Sequence, residues 1–224
     1  MTRMFALAGG AIAIAAAAYF TFTPGTPGTT AIDPFVGAAN AQETTEADTS
    51  AIVEMTLGAE DAPVTMVEYA SFTCPHCANF HTSSMKQLKS DFIDTGKVKL
   101  IYRDVYFDKY GLWASMVARC TGPDKFFGIA DLLYKGQRDW VQVGNDTGTI
   151  GALRKIGRLA GIEEDQLEAC LQDGDKAQAL IAWYQENATA DEITGTPSFI
   201  INGKMVKNQP YDDLKKVIEA ELGE

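Results

Sequence analysis

Val64-Thr65-Met66-Val67-Glu68-Tyr69-Ala70-Ser71-Phe72-Thr73-Cys74-Pro75-His76-Cys77 joins a β-branched, mostly apolar run to a Cys-x-x-Cys motif, and Ala78 to Asp94 follows with helical character. The first seven of these residues read as a buried central strand, with Asp61-Ala62-Pro63 as the loop before it. Pro75 suits a first helical turn, Phe80, Leu88 and Phe92 recur on one face, and Gly96 marks a stop. Lys97-Val98-Lys99-Leu100-Ile101-Tyr102 then alternates into a second strand, so the unit is strand, helix, strand with both cysteines at its top. A cysteine at such a junction sits over unpaired amide donors and the positive end of the helix dipole, which favour a thiolate. Thiol and disulfide exchange is the chemistry this placement predicts.

Outward from this unit, a short strand is expected around Ile52 to Leu57. From about Phe107 to Ala190 the pattern is helical only. Leu112 to Ala118 begins one helix, and Lys125 to Tyr134, Thr149 to Leu159, Glu163 to Leu171 and Asp175 to Ala190 supply others between glycine-bearing breaks. Strand character returns at Pro197 to Ile201, turns at Asn202-Gly203, a strong hairpin signal, and continues through Lys204-Met205-Val206. Tyr211 to Leu222 closes the chain as an amphipathic helix. The expectation is an α/β fold interrupted by a helical insertion, divided as 51–106, 107–190 and 191–224. Trp113, Phe126, Phe127, Tyr134, Trp140 and Trp183 are expected in the core of the insertion rather than in a peptide groove.

At 224 residues with 46% hydrophobic residues, the chain suits one domain carrying a large insertion. Its net charge is −11, and residues 1–41 hold only Arg3 and Asp33, which cancel. An acidic surface of this kind repels nucleic acid and anionic lipid. Arg3 followed by the uncharged, Ala-rich run Met4 to Phe22 has the layout of an export signal within residues 1–22. Ala16-Ala17-Ala18 and Ala39-Asn40-Ala41 both have the small-x-small form of a cleavage site; uncut, the apolar run is just long enough to remain as a membrane anchor. Residues 23–50, rich in Thr, Ala, Gly and Pro, read as a disordered linker.

Four cysteines are present, Cys74, Cys77, Cys120 and Cys170. An even count in an exported chain permits two disulfides, and the spacing suggests Cys74 with Cys77 and Cys120 with Cys170. Connectivity is not fixed by spacing, so a rival pairing, or free thiols at Cys120 and Cys170, stays open. A bridge closing about 50 residues would stabilise by about 4 kcal/mol in the chain-entropy model, whereas the tight ring of Cys-x-x-Cys gains little, so the first pair is expected to be active and the second structural. Cys74, at the helix N-cap, can accept hydrogen bonds from the amides of His76 and Cys77, and its acidity is expected to be well above that of a free thiol. Cys77, one turn in, is the less exposed partner that resolves mixed disulfides. His76 can direct a donor or a positive charge at the thiolate, favouring the reduced form and making the disulfide a stronger oxidant. His81, four residues after Cys77, is read as a packing or polar-face residue, with a proton-transfer or ligand role as the alternative. Glu68 interrupts an apolar strand, and alternation alone leaves it either inward or facing solvent at an edge.

Cys74-Pro75-His76-Cys77 after a strand, the helical insertion, and Thr194-Gly195-Thr196-Pro197 leading into a strand, an Asn-Gly turn and a last helix together resemble the DsbA family of bacterial thiol-disulfide oxidoreductases. The resemblance runs from about Ile52 to the C-terminus. It implies a thioredoxin-like fold with an inserted helical domain, in a periplasmic enzyme that donates disulfides to exported, folding proteins with free cysteines. It implies no metal or organic cofactor and a DsbB-like membrane oxidase for regeneration; a monomer is expected. The Cys120 and Cys170 pair resembles the arrangement in some alphaproteobacterial DsbA proteins. Glu68 matches the family's buried acid below the active site, a proton relay for Cys77. Pro197 matches its cis-proline facing the active disulfide, which leaves the backbone of Thr196 to pair with an extended substrate chain beside Pro75 and His76. Thr196 stands where some members carry valine, which bears on oxidising strength and substrate preference. Three other readings use the same residues: a reductase or isomerase on this fold, a zinc-binding protein using Cys74, Cys77, His81 and a fourth ligand not evident in the chain, and a peptide-binding chaperone. An isomerase would bring an N-terminal dimerisation domain, for which residues 23–50 are too short and polar.

Overall fold

The computed structural model describes residues 47–224, so the expected signal or anchor in residues 1–22, and residues 23–46 of the expected linker, lie outside the described residues. In chain order the elements are β1 (Met55–Leu57), β2 (Val64–Ala70), α1 (Pro75–Thr82), α2 (Ser84–Leu88), a π-helical turn (Lys89–Ile93), β3 (Val98–Asp104), α3 (Lys109–Ala118), α4 (Pro123–Lys135) and α5 (Gln137–Val141). They continue with α6 (Asp146–Leu159), α7 (Glu164–Gln172), α8 (Gly174–Ala190), β4 (Ser198–Ile201), β5 (Lys204–Lys207) and α9 (Tyr211–Leu222). Among the described residues no helix is long and apolar enough to cross a membrane.

The sheet has five strands in the order β1-β3-β2-β4-β5. β2 and β3 are parallel, in register from Val64 opposite Val98 to Ala70 opposite Asp104, and β4 pairs antiparallel with β2 from Met66 opposite Ile201 to Tyr69 opposite Ser198. β2 therefore has hydrogen-bonded neighbours on both edges, which is why its sequence is nearly continuously apolar. On one face Val64, Met66, Val98, Leu100, Phe199 and Ile201 pack against Phe80, Leu88 and Phe92 and against Tyr211, Leu214 and Ile218 of α9. On the other, Tyr69 and Val105 pack with Ala188 of α8. All six helices α3 to α8 fall between β3 and β4, so the α/β fold is a thioredoxin-like sheet with an inserted helical domain. Trp113, Phe126, Tyr134, Trp140 and Trp183 are buried in or beside that insertion, and Phe127 is half-buried.

The structure departs from the sequence reading in a few elements. The helix expected to run to Asp94 breaks at Ser83 (φ −118°, ψ −77°), because the Thr82 and Ser83 hydroxyls donate to the carbonyls of Ala78 and Asn79 and compete with the helical ladder. It resumes and ends in a π-helical turn, whose wider loop of backbone goes with the burial of the adjacent Phe92 and Ile93. The first strand shrinks to Met55–Leu57, β3 extends to Asp104, and α5 is an added element whose five residues are too few to show a helical period. Asn202 (φ 46°) and Gly203 (φ 80°) both take the left-handed conformation that the two-residue β4–β5 hairpin requires. Cys120, just beyond α3, and Cys170 in α7 are joined by a disulfide with Cα atoms 5.7 Å apart.

Candidate active site

β2 delivers the chain to the top of the sheet, where Ser71 to Thr73 turn it into α1. The turn is fastened from several sides: Cys74 N donates to Ser71 O at 3.1 Å, and Thr73 Oγ1 to Asp108 Oδ2 at 2.8 Å. Gln137 Nε2 donates to the carbonyls of Phe72 (2.8 Å) and Cys74 (2.9 Å). Cys74 is the N-cap of α1 with an extended backbone, and its Sγ accepts from the Cys77 amide at 3.4 Å. Pro75 occupies the first helical position, where a missing amide costs nothing. Pro75 and His76 are exposed at the helix start, whereas Cys74 is 7% exposed and Cys77 is 0% exposed.

Both cysteines are thiols, and their environments differ in sign. Cys74 is lowered from 9.0 to about 5, first by the hydrogen bond with the Cys77 thiol and then, against partial burial, by the Thr196 hydroxyl and the amides of Cys77 and His76. Burial, followed by the hydrogen bond with Cys74, pushes the Cys77 thiol far up. The Thr196–Pro197 peptide bond is cis, Pro197 is buried, and the Cys74 thiol donates to Thr196 O at 3.5 Å. The buried Thr196 Oγ1 has no hydrogen-bond partner within ordinary geometry, so the contact that is seen between Cys74 and Thr196 is the one to the carbonyl.

Glu68 is fully buried on the sheet face that packs against α1, so it does not face solvent at an edge. Its Oε1 lies 2.9 Å from His81 Nε2, and its Oε2 has no hydrogen-bond partner. His81 sits one helical turn beyond Cys77 and is itself buried, with its ring stacked on Tyr134 at 4.1 Å and 14°. Tyr134 and Tyr102 share a hydroxyl hydrogen bond of 2.6 Å. His81 is thus a packing residue, as expected, but its polar partner was not legible, because Glu68 is 13 residues back on β2 and meets it only once α1 lies across the sheet. The i, i+4 spacing from Cys77 was the available signal. Gln137 gave no signal, being part of a helix too short to read. Among the described residues no three His, Cys, Asp or Glu side chains converge as a metal-holding group, and the His81 ring is turned to Glu68.

The family described as Thioredoxin matches residues 50–220. Disulfide bond formation protein D of Bacillus subtilis is 31% identical over 171 residues, which cover 74% of this chain and 76% of that protein. A relative in Rickettsia bellii is 34% identical over 172 residues, 76% of this chain, and the chain spans 65% of that relative's length. Among solved structures, alpha-DsbA1 of Wolbachia pipientis superposes with a TM-score of 0.67 at 26% identity, over 76% of this chain and 91% of that one. Oxidised BdbD from Bacillus subtilis gives 0.66 at 27% identity, over 76% and 94%. Sequence and structure thus converge on one fold along the same stretch that carries the Cys74 junction, and the chain belongs to the DsbA family of thioredoxin-fold proteins.

Proposed function

We propose that the protein is a periplasmic thiol-disulfide oxidoreductase that donates disulfides to exported, folding proteins with free cysteines. The observation that carries this reading is the opposite treatment of two sulfurs one helical turn apart: Cys74 is held down to about 5 while Cys77 is pushed up. A pair whose reduced form contains one stabilised thiolate accepts electrons readily. The names printed for relatives, a disulfide bond formation protein and DsbA proteins, support the same reading.

In the proposed cycle a substrate thiolate attacks Cys74 Sγ of the Cys74–Cys77 disulfide; the sulfur–sulfur bond breaks and Cys77 leaves, taking up a proton. A second substrate thiolate then attacks the substrate sulfur of the mixed disulfide and releases Cys74 as its thiolate. The substrate has lost two electrons and the enzyme has gained them. A DsbB-like membrane oxidase takes them back, and no metal or organic cofactor enters the exchange. Pro75 and His76 follow Cys74, the less buried of the two active-site sulfurs, in sequence and Thr196 lies against it, so with Pro197 they form the proposed substrate-side rim, with the Thr196 backbone available to an extended chain. Export rests on the signal layout of residues 1–22, and the protein is proposed to act as a monomer.

Equilibration of the purified protein with glutathione redox buffers tests the donor role. A potential near that of strong oxidants of this fold, about −120 mV, is expected; a value near the roughly −270 mV of thioredoxin would assign a reductase instead.

A further inference from the structure

Exchange at a buried thiol moves a proton as well as electrons. On the function proposed above, Cys77 takes up one proton each time it leaves as substrate is oxidised, and gives one up each time it attacks Cys74 during regeneration. Cys77 is fully buried, and so is Glu68, which the DsbA resemblance assigns as its proton relay and which has no surface of its own through which to exchange with water. The Tyr134 phenol is pushed up first by burial and then by charge on Cys77 and on Glu68, so both groups lie within electrostatic reach of the ring that stacks on His81.

His81 stands on the other side of that carboxylate. Nε2 is 2.9 Å from Glu68 Oε1, and the ring forms part of the wall of a cavity of about 290 Å³ between the α1–α2 segment and α4. Leu57, Met85 and Phe127 give the cavity its apolar lining, and Lys86, Lys89 and Asp131 bring charge to it. Lys86 and Lys89 are exposed, so the space communicates with solvent at that rim. His81 therefore meets both the buried carboxyl and the cavity.

We propose that His81 carries the proton between the Glu68 carboxyl and water in this cavity, acting as a positioning and proton-transfer residue for the exchange at Cys77. In the outward direction Glu68 gives its proton to Nε2 as Nδ1 releases one to water; in the inward direction water protonates Nδ1 as Nε2 returns a proton to Glu68. Each transfer leaves the ring neutral in the opposite tautomer. Because the proton enters in one half of the cycle and leaves in the other, the tautomer resets without a ring flip. The groups facing the ring suit this: Glu68 from β2, Tyr134 stacked from α4, Tyr102 edge-on from β3 at 5.9 Å and Phe80 from α1. At the cavity, Lys86 is exposed, Lys89 is paired with Asp94, and Asp131 is paired with Lys135.

The test is single-turnover reoxidation of the full chain by oxidised glutathione, following release of the second glutathione as Cys77 attacks the mixed disulfide, between pH 6 and 8. His81→Gln retains a hydrogen bond to Glu68 but has no titratable nitrogen, and is expected to slow that step at least about tenfold. His81→Ala extends the cavity to Glu68; added imidazole is expected to restore its rate, whereas pyrazole, of the same size and far less basic, is not. A side chain that only fills space would respond to both equally. A wild-type rate in His81→Gln, no response of His81→Ala to imidazole, or equal rescue by pyrazole would each overturn the proposal. If His81→Ala does not fold, the pH–rate profile of His81→Gln decides: loss of the histidine limb is expected, and an unchanged profile refutes the assignment. The glutathione equilibrium of the wild type, measured alongside, reads the donor role separately, since a reducing potential would remove that role and leave the His81 rate effects standing.

Discussion

Cys74 concentrates the chemistry because several weak donors converge on one sulfur. The Cys77 thiol contributes most to lowering it from 9.0 to about 5, and the Thr196 hydroxyl and two amides follow. Titration of the reduced protein by thiolate absorbance is accordingly expected to show a midpoint near pH 5. In Cys77→Ala that midpoint is expected to move up, since the largest donor is gone; an unchanged midpoint would mean that the helix terminus alone sets it. The same shift couples to stability with a definite sign. A group whose acidity is strengthened by folding stabilises the native state above its unfolded value, and that contribution is lost as pH falls through the folded value. Stabilisation of the reduced protein over the oxidised one is therefore expected to grow from about pH 5 to a maximum near pH 9, above which the raised Cys77 thiol, still protonated in the fold while its unfolded counterpart ionises, works against it, read as the difference between their urea midpoints. This much of the site was legible in the chain, because Cys74, Pro75, His76 and Cys77 are neighbours and a strand-to-helix junction fixes their roles locally. The burial of Glu68 was not decided by alternation, since β2 has buried residues on both faces, Met66 and Tyr69 among them, and only its central place in the sheet does so.

At the scale of elements, the active-site turn is a joint held by parts far apart in sequence. Gln137 at the start of α5 reaches back to the carbonyls of Phe72 and Cys74, so the inserted domain braces the turn and does more than cover the sheet. The Cys74 carbonyl also accepts from the Ala78 amide inside α1, which leaves the Phe72 carbonyl as the group with most to lose. Gln137→Leu is expected to cost about 1–3 kcal/mol, the penalty of a buried acceptor left unpaired, measured by urea unfolding of the reduced protein. A change under about 0.5 kcal/mol would show that water or a shifted side chain satisfies the turn equally well. A second brace sits at the far end of β3, where Arg119 pairs with Asp104 and donates to the carbonyl of Val53, tying α3, the sheet and the segment before β1 together. Long periodic helices such as α6 and α8 were readable because their apolar faces repeat over several turns. α5 and the Ser83 break were not, since the first is shorter than its own pattern and the second depends on two hydroxyls choosing carbonyls over solvent.

For the molecule as a whole, the disulfide between Cys120 and Cys170 sits in the helical insertion, closing a separation of 50 residues that spans α4, α5 and α6. That stretch includes Tyr134, which stacks on His81, and Gln137, which holds the turn at Cys74. Cross-linking its ends restricts the unfolded chain, and for a loop of this length the chain-entropy model gives about 4 kcal/mol. The bridge makes no contact with the Cys74 sulfur, whose donors all come from Cys77, His76 and Thr196. Stability and reactivity should therefore separate. A Cys120→Ser, Cys170→Ser double variant is expected to lose up to about 4 kcal/mol in urea unfolding while its Cys74 titration midpoint stays near pH 5. A midpoint that rises together with the loss of stability would show that the insertion transmits its own looseness through Gln137 to the turn, making the second cysteine pair a control on the first rather than a clamp remote from it.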